Sequence, residues 1–177
     1  MIGEDGMSEE NKHTALIPSA QIAEEAGKRT EIKKVRKGEP PLHMTDDMRR
    51  LSTPWSISIV RAKQIDSSDL PAGVVLDAAA GSGAQLIALA TELKRPALGI
   101  ELDGNIAVLC AANMHVASDK EEVQRTLDRV IIGDGSDAEG AITAYWNSLR
   151  KSGVRAHPPV AMLHLDPARP RDAQNHH

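Results

Sequence analysis

The stretch GVVLDAAAGSGAQ, Gly73 to Gln85, decides the fold, and LGIELD, Leu98 to Asp103, completes the unit it begins. Gly73 to Asp77 is a short apolar run rich in Val and Leu, which reads as a strand. Ala78 to Gly83 are small residues that permit a tight turn, and Ala84 to Leu93 carry apolar residues at helical spacing. LGIELD then reads as a second strand ending in the carboxylate of Glu101. Strand, glycine turn, helix and strand in this order form a βαβ unit of the kind that handles nucleotides. Two details bear on the ligand: Asp77 stands four positions before Gly81, and Leu86 occupies the place where a dinucleotide fingerprint puts its third glycine.

Composition bounds the rest. A chain of 177 residues, 41% hydrophobic, buries one core, and a formal charge of −4 excludes a globally basic nucleic-acid binder. The single cysteine, Cys110 in the helical stretch IAVLCAAN, excludes an intramolecular disulfide and fits a reducing compartment as a buried, inert thiol. No apolar run approaches the roughly 18 residues that span a bilayer, and MIGEDGMSEENK has neither a cationic start nor an apolar core of a signal segment, so a cytoplasmic location is expected. Phe is absent and there are one Tyr and two Trp, so aromatic platforms for stacking bases are scarce.

Residues 1–41 are polar, broken by Gly and Pro and closed by Pro40-Pro41, which predicts a disordered or loosely helical leader. Within it Lys28, Arg29, Lys33, Lys34, Arg36 and Lys37 form a basic cluster that reads either as a solvated tail or as a contact for phosphates. Thr53 as N-cap with Pro54 at the first helical position starts a helix through Ser56 to Ile65, with Ile57, Val60 and Ile65 on its expected buried face. Asn105 to Val116 reads as a small-residue helix and Arg129 to Ile132 as a β-branched strand. Ser136 to Glu139 then read as a capping box opening a helix to about Lys151, and Val160 to Leu165 as a further strand. The alternation predicts an α/β fold with parallel strands, right-handed crossovers and helices on both faces. Ligands of such sheets bind beyond the carboxyl ends of the strands, where the strand order reverses.

With DxxxGxG in the glycine turn, Glu101 closing GIELD, Asp134 closing RVIIGDG and Asp166-Pro167 closing AMLHLDPARP, the segment from Thr53 to Pro170 resembles the class I S-adenosylmethionine-dependent methyltransferases. Its flavour is that of the RNA-modifying trimethylguanosine synthase-like and THUMP-associated branch, where a Thr-Pro helix precedes the glycine loop as Ser52-Thr53-Pro54 does here. The resemblance implies a Rossmann-like sheet with residues 42–177 as a partial methyltransferase domain. The family's sheet has more strands than the four read here, so a fragment or truncated product is expected. Val160 to Leu165 is then an exposed apolar edge, unless another subunit or the leader covers it.

The same resemblance assigns residues. Asp77, Ala79, Gly81 and Gly83 are expected at the cofactor, with Asp77 orienting its methionine portion; Glu101 takes both ribose hydroxyls, Leu102 packs on the adenine face, and Asp134 with Gly135 meets the adenine amino group. Asp166-Pro167-Ala168-Arg169 stands where base-directed amino methyltransferases carry Asp-Pro-Pro-aromatic, so Asp166 and Pro167 would place the acceptor amine and Arg169 would stack on a base or bind a phosphate. Read without the resemblance, DPAR is a turn ending a strand, Asp134 a turn residue and Glu101 a surface charge. The histidines show no metal-ligand spacing, and neither a nucleophile triad nor a Walker-type lysine is present, which argues against metal, hydrolase and kinase readings. The functional expectation is an S-adenosylmethionine-dependent methyltransferase with RNA as acceptor. The alternatives are a catalytically silent binding or interaction module and an NAD-binding Rossmann domain, the latter opposed by Leu86 and Asp134.

Overall fold

The computed structural model describes residues 12–32, 37–117 and 122–166. Thr14–Leu16 (β1) and Ala20–Arg29 (α1) come first, then Asp46–Leu51 (α2) and Trp55–Lys63 (α3). Val74–Asp77 (β2), Ala84–Glu92 (α4), Ala97–Glu101 (β3) and Gly104–Ala117 (α5) follow. Glu122–Arg125 (α6), Arg129–Ile132 (β4), Ala138–Lys151 (α7) and Val160–His164 (β5) complete the order. The fold is α/β, with a five-stranded sheet ordered β1-β4-β3-β2-β5. All neighbouring strands are parallel except β1, which runs antiparallel to β4.

The apolar strands β2, β3 and β4 are buried on both faces, as parallel strands between helices are. Val75, Ala97 and Val130 pack on the side that carries α4 and α5, whereas Val74, Leu76, Leu98, Ile100 and Ile131 pack against Ala141, Tyr145 and Leu149 of α7. Along β5 the alternation is interrupted: Val74 pairs with Val160 but Val75 with Met162, so Ala161 is an extra, bulged residue. From β2 the chain steps outward to β3 and β4, then returns to the other side of β2 at β5. The strand order therefore reverses at the carboxyl ends of β2 and β5.

Close packing of α4 on the sheet uses a glycine in the strand. Leu86 of α4 is fully buried, and a Cβ at Gly99 of β3 would lie 3.2 Å from its Cδ2 and 3.0 Å from the Ala80 Cβ. The space that a third helix glycine would vacate in a dinucleotide fold is thus filled by Leu86.

Several expectations are corrected. Residues 12–32 of the leader are ordered: β1 extends the sheet, and α1, capped by Ser19, buries Ala26 against Leu109 and Ala112 of α5. Short amphipathic segments find partners in tertiary structure that composition does not reveal. Of the described leader residues, the strand β1 lies at the sheet edge opposite β5. Among the described residues the sheet has five strands, against the four expected. The helix after Thr53 is capped by Pro54, and its inward face is Ser58 and Ala62, not Ile57 and Val60, which are 45% and 54% exposed. Small residues at that spacing let α3 approach the alanine-rich α4, and the β-branched side chains turn outward. α7 is capped one residue later than expected: Asp137 Oδ1 accepts from the Gly140 N–H at 3.1 Å, while the Ser136 N–H donates to Asp134 Oδ1 at 2.8 Å. As expected of the edge, β5 leaves Leu163 53% and Leu165 61% exposed. Among the described residues, no helix is long and apolar enough to cross a membrane.

The base of β4 is held by a buried guanidinium. Arg129 donates to Ser148 Oγ at 2.9 Å, Ser152 Oγ at 3.1 Å and the carbonyls of Thr126 and Asp128 at 2.9 and 2.6 Å. Burial pushes its pKa down, against the opposing influence of Tyr145 and Asp128. Arg129→Met should destabilise the fold by about 3 kcal/mol in urea unfolding, since it orphans buried acceptors and removes the positive charge beside Asp128.

Candidate functional site

The carboxyl ends of β2, β3, β4 and β5 bring together Asp77, Ala79, Gly81, Gly83, Glu101, Leu102, Asp134, Gly135 and Asp166. The turn after β2 is too poor in side chains to hold itself, and its neighbours brace it. Asp77 Oδ1 accepts from the Ala79 N–H at 3.0 Å. Glu101 Oε2 accepts from the Gly81 N–H and Oε1 from the Asp103 N–H, both at 2.9 Å. From α5, the fully buried Asn113 donates to the carbonyls of Ser82 and His43 at 2.9 Å and accepts from the His43 N–H at 2.6 Å.

The two glycines of the turn differ in role. Gly83 has φ +78°, and a Cβ there would lie 2.8 Å from Cys110 Sγ, so this position is required by the chain's own packing. Gly81 has φ +53° and nothing within 4 Å of its Cβ position, so its outer side is open space. At the next strand end, a Cβ on Gly135 would overlap the carbonyl oxygen of Ala78, so the loop after β4 lies directly on the loop after β2.

Leu102 is 72% exposed next to Glu101. Asp134 is exposed; the backbone and hydroxyl of Ser136 hold its carboxyl below the usual range, with a contribution from His13. Asp166 lies two residues beyond β5, with the Thr53 hydroxyl 3.5 Å from its Oδ2 and Arg61 Nη1 4.0 Å from the same oxygen. Asp77 is buried, and burial raises its carboxyl pKa, opposed by the Ala79 N–H and by His164 and reinforced by Asp166 and Glu101. Burial likewise pushes the Cys110 thiol up, as befits an inert core residue.

Pro167, Ala168 and Arg169 lie outside the described residues, as do Lys33, Lys34 and Arg36 of the basic cluster. Lys28 and Arg29 sit on α1 and pair with Glu24 and Glu25 of the same helix. Among the described residues no group of three His, Cys, Asp or Glu side chains is placed to hold a metal ion. A cavity of about 330 Å³ lined by Arg125, Thr126, Arg129, Ser152 and Val154 opens at the amino end of β4, away from these carboxylates.

Two bracing residues escaped the sequence reading. Asn113 was visible as a lone amide among Ala and Met in IAVLCAANM, a pattern that demands buried partners. His13 fills a notch over Gly133 and Gly140, where a Cβ would strike its ring, and its Nε2 lies 3.6 Å from Asp137 Oδ2. Nothing local in the sequence signals that long-range contact.

Asn113→Ala should cost about 2–4 kcal/mol in urea unfolding, because three backbone groups lose buried partners. Asp77 gives the opposite sign. A carboxyl with a raised pKa binds its proton more tightly in the folded chain, so its contribution is full below the unfolded value and is lost as pH rises through the folded one. Asp77→Asn should therefore raise the Tm at pH 7, with the advantage over the parent narrowing as pH falls toward about 4. In comparisons with known proteins, no family model, no curated protein and no solved structure matches the chain.

Proposed function

We propose that this chain is an S-adenosylmethionine-binding methyltransferase domain of the class I, Rossmann-like type that acts on RNA. The observation that supports it is the row of carboxylates, Asp77, Glu101 and Asp134, at the ends of adjacent parallel strands beside a glycine turn whose outer side is open at Gly81. The donor and acceptor set suits the ligand. Glu101 accepts two backbone N–H groups, and each carboxylate oxygen has a second acceptor site left for a ribose hydroxyl. The exposed Leu102 offers an apolar face for adenine, Asp134 and the Gly135 backbone meet the amino edge, and Asp77 faces the methionine portion.

When bound, S-adenosylmethionine supplies an electrophilic methyl group. The chain's part is positioning and exclusion of water. Thr53 and Arg61 both approach Oδ2 of Asp166, which leaves Oδ1 to accept a hydrogen bond from an acceptor amine. The basic Arg61 and Lys63 on α3 suit a phosphate-bearing acceptor such as RNA. Leu86, buried where a dinucleotide fold needs glycine, speaks against NAD. A second reading, a silent interaction module, is favoured by one feature: at the β5 edge Leu163 and Leu165 are exposed.

Calorimetric titration separates these readings. Saturable binding of S-adenosylmethionine without NAD binding is expected, weakened at least ~10-fold in Glu101→Ala, a loss of about 1.4 kcal/mol or more. Undiminished binding in both Glu101→Ala and Asp134→Ala would sink the site assignment, and no binding by a folded chain would favour the interaction module. Methyl incorporation into RNA then tests the acceptor.

A further inference from the structure

In a parallel sheet each crossover helix returns its carboxyl terminus to the amino edge of the strands, where cations are favoured. Here that edge collects Lys94 before β3, Arg125 before β4, and Arg150, Lys151 and Arg155 between the end of α7 and β5, all exposed. Contacts tie these connections together. The Gln124 side chain donates to the Lys94 carbonyl at 2.8 Å, and Arg125 shares the cavity of about 330 Å³ with Ser152, Val154 and the buried Arg129. Of the carboxylates at this edge, Asp128 is buried, with Oδ1 accepting from the Ala97 N–H at 2.7 Å. Asp66 and Asp69 lie before β2, where Arg95 reaches the carbonyls of Ser67 and Leu70, and Glu92 and Glu122 stand at the end of α4 and the start of α6. On α1 and α2, Lys28, Arg29 and Arg50 each pair with a carboxylate of their own helix. Among the described residues Lys94, Arg150, Lys151 and Arg155 pair with none. Lys94 also has φ +53°, a left-handed conformation that glycine adopts at helix ends without steric cost. A lysine kept in that conformation points to a use for its ammonium group.

We propose that this amino edge binds the phosphate backbone of RNA, with one phosphate at the mouth of the cavity beside Arg125. The proposal rests on the function proposed above and adds where the body of the acceptor is held. Backbone contacts need a row of cations and no base-stacking platform, which suits a chain with one Tyr, two Trp and no Phe. The net charge of −4 conceals the asymmetry. At the carboxyl edge Asp77, Glu101, Asp134 and Asp166 repel a polyanion, with Arg61 and Lys63 of α3 opposing them, so an acceptor that reaches that edge gains from a hold elsewhere. A strand of five residues such as β5 is about 17 Å long, a span that several nucleotides cover.

The test follows the fluorescence anisotropy of a labelled single-stranded RNA over a range of salt. Arg125→Gln, Arg150→Gln, Lys151→Gln and Arg155→Gln in one chain should weaken binding at least ~10-fold and flatten the slope of log K against log salt by about 2–3. Removing as many charges elsewhere, by Lys28→Gln, Arg29→Gln, Lys37→Gln and Arg50→Gln, should change the affinity less than about twofold. Equal weakening by the two variants, no weakening by the first, or a parent chain that binds no RNA overturns the proposal. Poly-glutamate that displaces the RNA as well as unlabelled RNA does assigns the edge to an acidic protein and overturns it too. Should the first variant fail to fold, Lys94→Gly decides, because it relieves the left-handed conformation: a raised Tm with RNA binding weakened about threefold is expected, and a raised Tm with unchanged binding sinks the idea. Calorimetric titration with S-adenosylmethionine should give the same affinity in the parent and both multiple variants. A parent chain that binds RNA at this edge but not S-adenosylmethionine overturns the function proposed above and leaves the surface standing.

Discussion

The turn after β2 consists of alanines, glycines and one serine, so it cannot fix its own shape, and the whole carboxyl edge depends on side chains that reach it from elsewhere. Asn113 holds it from α5, Glu101 from β3 and Asp77 from the strand that feeds it. These three contacts make the position of the loop a tertiary property. Asn113 also ties in His43, so the segment before α2 is fastened by the same amide that sets the loop. A residue on α5, outside the turn itself, therefore helps to set how the glycine turn is presented.

The same edge holds buried polar groups that the fold itself does not fully satisfy. Asp77 is buried with its carboxyl pushed up, and His164 carries a polar atom without a partner. Neither arrangement helps the ligand-free fold. Arg129, at the opposite end of the sheet, shows the contrast: it is buried too, but four internal acceptors receive its donors. At the amino end the buried Arg129 is satisfied from within, whereas at the carboxyl end His164 Nε2 is left without a partner.

Between Val74 and His164 the strands and the three long helices were legible because a parallel sheet demands unbroken apolar runs, whereas the four-residue α6 was not; the carboxylate ends were legible because each follows such a run directly. What escaped was set by distant partners. The three-residue β1 has meaning only beside β4, and α1 only against α5. In α3, periodicity counted Ile57 and Val60 as core, but the small Ser58 and Ala62 allow the closer approach to α4 and won the inward face. α2 lacks an apolar period, although Thr45 caps it, Asp46 and Asp47 open it and Arg49 and Arg50 close it, so its end signals were readable where its packing was not. The placement of candidate site residues at one edge was foreseeable from strand ends, and the bracing of the loop was not.

β1 pairs Thr14 with Ile132, across more than a hundred residues of chain. Closing a loop of that length costs on the order of 4 kcal/mol in chain entropy, a large sum for a strand of three residues. On a ribosome, β1 must wait until β4 has emerged, and until then α1 has no α5 to lie against. The amino-terminal arm should thus dock late, after β2, β3 and β4 have assembled, and its release should be the first step of unfolding from that edge. Because His13 enters this arm just before β1 and lodges beside the loop that carries Asp134, the timing of arm docking also sets when the β4 side of the carboxyl edge takes its final shape.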